Sequence, residues 1–182
     1  MGISPSKQAE TTLSSSSAFT AACESAYSHC LSLTQHAFPG VLPYQLPTAS
    51  DQIHSTLTTT DKIPLIVNWV PTPPTQAQVD SALKVVAALR RAPKNPAQQE
   101  AEAPEEEPMT LGAEEFKQWA VVLFADAVAE KAGKALLQRV PIGVAGIVGI
   151  GAVARPGKNL VGAAIGVYAL GVVTSVYLSL SG

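Results

Sequence analysis

Charge, aromatic rings and thiols are all scarce in this chain. Asp, Glu, Lys and Arg make up 14% of its 182 residues and Phe, Trp and Tyr 5%. Ordinary soluble domains carry about 25% charged residues. The formal net charge of −2 speaks against a nucleic-acid partner, since neutralising phosphates takes a basic face. Cys23 and Cys30 are the two cysteines, too few for a disulfide framework. On one helix they would share a face about 10 Å apart along the axis, beyond the roughly 7 Å Cα limit of a bridge. Free, buried thiols are expected. Together with His29 and His36 they match no zinc spacing, so no metal and no cofactor is assigned.

Catalytic signatures are missing as well. The sequence has no G-x-S-x-G, no P-loop, no strand-borne dinucleotide glycines and no H-E-x-x-H. His29, His36 and His54 have no acid partner at a telling spacing. The "GIVGIG" run lies in an apolar stretch with no Lys-Ser or Lys-Thr after it, which argues against a phosphate cradle. The chain reads as a non-enzyme. Nor does it open on the basic-then-apolar pattern of a secretory signal.

What it has is segregation of polar from apolar residues. From Val140 to Gly182 only Arg155 and Lys158 are charged, and both flank Pro156-Gly157. Leu160–Leu180 carries no charge and matches the about 20 apolar residues of a spanning helix. Val140–Ala154 is shorter, about 22 Å as a helix. Extending it back to Ala135 reaches spanning length, with Arg139 snorkelling to the interface and Pro141 in the first turns, where its missing N–H matters least. "RPGKN" is then the turn of a transmembrane helical hairpin, residues 140–182, with Arg155 and Lys158 at the far interface. Gly143, Gly146, Gly149, Gly162 and Gly166 would each cost about 1 kcal/mol relative to alanine in a helix exposed to water. In lipid, small residues let helices approach closely, and "GAAIG" fits the small-xxx-small pattern.

Upstream the expectation is mainly α-helical but loosely structured and rich in proline. Residues 1–16 read as a disordered start whose Gly2, in "MGISPS", fits the myristoylation pattern. One acyl chain binds membranes only marginally, so the hairpin would be the second anchor. Residues 17–91 form a helical and irregular region. A helix is expected over 17–37, and "IPLIVNWV" reads as a strand or extended segment. Another helix follows "TQAQ", where Thr75 and Gln78 make a capping box. Residues 92–110 are an acidic, proline-rich linker. Residues 111–139 form an amphipathic helix with Thr110 as cap and Phe116, Trp119, Ala120, Leu123, Phe124, Ala127 and Val128 on one stripe. That stripe either lies in the membrane interface, with Trp119 at headgroup depth, or packs on the upstream helices.

The functional expectation is a membrane-anchored structural or adaptor protein, an accessory subunit or scaffold of a membrane assembly. Its partners would be the lipid bilayer and other membrane helices or a second copy. Two alternatives stand beside it: a membrane-perturbing protein, and a soluble helical interaction domain that buries the hairpin. The amino-terminal region would be cytosolic if acylated, and an organelle membrane fits equally. Lys131, Lys134 and Arg139 on one flank against Arg155 and Lys158 on the other leave orientation undecided.

Overall fold

A computed structural model describes residues 4–91, 110–154 and 158–181, with side chains described up to Ala135, at Leu137 and from Ala163 to Ser179. Among the described residues the fold is mainly helical, with seven α-helices and no strand.

The polar start is ordered, contrary to the reading of residues 1–16 as disordered. Helix α1 spans Pro5–Ser15, with the Ser4 hydroxyl accepting from the Lys7 N–H at 3.4 Å and a proline in its first turn, where proline is tolerated. Ala9 and Leu13, four apart on one face, are fully buried against α6. Two contacts this small are invisible to periodicity; packing on the longer helix supplies the stability that the short one lacks.

Helix α2 (Ser17–Leu33) is capped by Ser16, whose hydroxyl accepts from the Phe19 N–H at 3.2 Å. Phe19, Cys23, Ala26 and Cys30 form its buried face. It stops before the expected end because Gln35 and His36 take φ values of 50° and 57°, a left-handed turn no right-handed helix continues through. Gln45 then ties the returning chain to α2. Its side-chain oxygen accepts from Leu42 N–H at 3.0 Å and its amide donates to the Cys30 carbonyl at 2.8 Å.

Helix α3 (Leu46–Ser55) continues into a π-helical turn over Thr56–Thr60. The segment read as extended is helix α4 (Pro64–Trp69), with Pro64 at its start instead of breaking a strand. Helix α5 (Gln76–Arg91) begins as expected: Thr75 N–H donates to the Gln78 side chain at 2.9 Å, and Gln78 N–H returns to the Thr75 hydroxyl at 3.4 Å.

Helix α6 (Ala113–Ala154) starts two residues later than a Thr110 cap implies. Leu111 is occupied in a two-residue antiparallel bridge with Val41, N–H to carbonyl in both directions at 2.8 and 2.9 Å. The first turn is held by Gly112, whose carbonyl accepts from Phe116 N–H and whose N–H donates to Glu115. The sequence stripe is the core of the molecule: Phe116, Trp119, Ala120, Leu123, Phe124, Ala127 and Val128 are all buried. Phe124 meets Phe19 edge-on at 5.9 Å, and Phe116 lies between Tyr27 and Trp119.

The division at residues 139 and 140 is absent. α6 runs through Pro141 as one helix, so the amphipathic segment and the first arm of the hairpin are a single element. At about 1.5 Å per residue it is about 63 Å long. Helix α7 (Lys158–Ser181) returns against it. Among the described residues no helix is long and apolar enough to cross a membrane.

Candidate membrane-binding surface

Helix α7 is apolar on two opposite faces. Ile165, Tyr168, Ala169, Val172 and Val176 recur at three- and four-residue steps and are the sheltered positions, with Val176 buried. That stripe is the one turned to the rest of the chain. On the other side Val167, Leu170 and Val173 are 71%, 69% and 51% exposed, with Ala163 and Gly166 between them also exposed. An ordinary surface helix puts charge there; α7 has none between Leu160 and Leu180.

The base of α7 is fastened to the helical domain by two hydrogen bonds. Trp69 Nε1 donates to the Ser179 hydroxyl at 3.0 Å, and the Tyr177 hydroxyl donates to the Gln8 side chain at 3.3 Å. Gln8 lies early in α1, whereas Ser14 in its last turn borders the same groove as Glu114 and Lys117 at the start of α6. Helix α1 therefore runs antiparallel to α6, and its amino end points toward the hairpin. Next to this base a cleft of about 400 Å³ opens between the loop before α5 and α6. Val70, Pro73, Gln78, Glu130, Lys131 and Lys134 line it. Glu130 accepts from Gln78 at 2.8 Å and pairs with Lys134. That ammonium, by hydrogen bond and charge, holds its carboxyl below the usual carboxylate range.

The residues singled out by sequence are distributed differently from that expectation. Trp119 is not interfacial: it is fully buried, and its Nε1 donates to the Val79 carbonyl at 3.3 Å. Phe19 and Tyr27 of α2 and the Val79 backbone of α5 cover the stripe to which it belongs, so it packs inward. Gly166 makes no close helix contact within this chain, because a Cβ there would meet nothing within 4 Å. Gly143, Gly146 and Gly149 lie within α6 and Gly162 within α7, but their packing, like the side chains of Arg139 and Lys158, lies outside the described residues. Gly2, Arg155 and the linker over 92–109 lie outside them too. Trp69, Tyr177 and Gln8 are the participants the sequence reading missed. A tyrosine one turn from the end of the apolar run was a readable sign of an interface anchor. Trp69 gave none, since its partner is 110 positions away.

The cysteines are buried and unpaired. Desolvation pushes the Cys23 thiol from 9.0 to about 12, with Lys117 opposing and Glu24 adding, and burial likewise raises Cys30. Neither is poised as a nucleophile, which requires a lowered pKa. His54, also buried, has Nε2 2.7 Å from the Val70 carbonyl. Among the described residues no three His, Cys, Asp or Glu side chains converge.

Comparison with protein families, with curated proteins and with solved structures gives no match.

Proposed function

We propose that the chain is a membrane-anchored structural or adaptor protein, an accessory subunit or scaffold of a membrane assembly, held by the hairpin of α6 and α7. One observation carries the reading: Val167, Leu170 and Val173 stand exposed on α7 while its opposite face is already packed. A helix apolar all round is stable only where no face meets water. Lipid tails provide such a surrounding, and a helix enters them with its backbone hydrogen bonds already made. Exposed Gly166 gives the same face a flat place for a neighbouring membrane helix or a second copy.

The test is extraction. Wild-type protein should stay with the membrane pellet in alkaline carbonate, and Val167→Lys combined with Leu170→Lys should move to the supernatant. These two side chains point away from α6, so the packed face is untouched. Truncation before Val140 is less clean, because it also removes the Tyr177 and Ser179 contacts to the domain. Wild-type protein that leaves the pellet and stays monodisperse without detergent overturns the proposal.

A further inference from the structure

With Trp119 in the core, other side chains must meet the headgroups of a bilayer that holds the hairpin. The geometry points to Trp69 and Tyr177, flanked by Lys131 and Lys134, as the surface by which the helical domain sits on a lipid bilayer. This inference rests on the anchoring proposed above and adds the depth of insertion and the contacting residues.

The depth follows from where the domain stops covering the hairpin. Among the described side chains of α6, Ala132 is the last in the core, and Leu137 is 77% exposed. On α7 Val176 is buried and Tyr177 and Ser179 are bonded to the domain. Beyond that level lie residues 136–154 on one arm and 158–175 on the other. They are about 19 and about 18 residues, or about 28 and about 27 Å, against a hydrocarbon layer about 30 Å thick. The two arms are matched in length to each other and to the layer.

At the same level the surface changes character. Tyr177 is 39% exposed, and Trp69 is partly buried against the core with its ring nitrogen committed to Ser179. Both rings have an apolar body and a satisfied polar handle, the type that collects at the membrane–water boundary. Lys131 and Lys134, the latter paired with Glu130, are exposed on α6 just before Leu137, where long cationic side chains reach headgroup phosphates. At the opposite end, where α6 begins, Glu114 and Glu115 lie in its first turn and Arg90 pairs with Glu115.

The chain has two tryptophans, and that makes the test direct. The full chain is reconstituted into phosphatidylcholine vesicles carrying bromine either on carbons near the headgroup or deep in the acyl chain. Flotation is checked first, then tryptophan emission. Wild type should be quenched more by the shallow bromines, and Trp69→Phe should lose most of the quenchable emission, leaving shielded Trp119. A Trp119→Phe variant should keep the quenching; wild type against Trp69→Phe decides the matter even if that variant fails to fold. Protein that floats while Trp69→Phe quenches as wild type does overturns the seat proposed here and leaves the anchoring intact. Protein that does not float overturns the anchoring itself.

Discussion

Trp119 shows how much one side chain decides in this molecule. It is the largest fully buried residue, it touches Phe116, and its indole N–H reaches across to α5. Trp119→Ala should destabilise the domain by about 3–5 kcal/mol, read as a lowered midpoint in denaturant unfolding of detergent-held protein. Gly40 is sensitive for a different reason. A Cβ there would stand 2.4 Å from the Leu111 carbonyl oxygen, a backbone atom that cannot swing aside. Gly40→Ala should open the Val41–Leu111 bridge at a cost of about 1–3 kcal/mol, seen as faster amide exchange at those two residues. Cys23 makes stability pH-dependent. Its folded pKa, about 12, lies above the ordinary 9.0, so on raising the pH the unfolded thiol loses its proton first. Stability from this group is complete below 9.0 and declines from there toward about 12. Denaturant midpoints taken across that range should fall, and Cys23→Ala should flatten the fall.

At the scale of the element, periodicity was legible wherever a helix had enough large apolar residues to draw its own stripe. The buried face of the first half of α6 could be read from three- and four-residue steps, and so could the cap at Thr75. Helix α1 could not, because its buried face is one alanine and one leucine. Helix α4 could not either, because proline marks a helix start as readily as a strand end, and only the neighbours decide. Trp119 illustrates a deeper limit. An amphipathic stripe announces that something apolar covers it, and the sequence does not say whether that cover is lipid or protein. Helix α7 poses the same question with the opposite geometry: its stripe is covered and its back is apolar too. Its outward face therefore has its own expected behaviour. Gly166→Ile should leave thermal unfolding of the domain unchanged. In mild detergent it should reduce any species heavier than 18.9 kDa seen by light scattering.

For the whole molecule, the direction of α1 matters most. Its amino end at Pro5 faces the hairpin, and on the anchoring proposed above an acyl group on Gly2 would be a second hold on the same bilayer. Gly2→Ala should then alter which membrane the protein reaches without freeing it into the soluble fraction, as fractionation of tagged chains would show. Loss of all membrane association from this change alone would place the anchor at the amino end instead. The unbroken course of α6 has a mechanical consequence. Trp119 and the first arm of the hairpin belong to one rod, and Pro141 is the sole residue along it that lacks an amide hydrogen to give. On the anchoring proposed above, stretching or thinning the bilayer would lever that rod, with Pro141 as its weakened turn, and the motion would reach the aromatic cluster around Phe116.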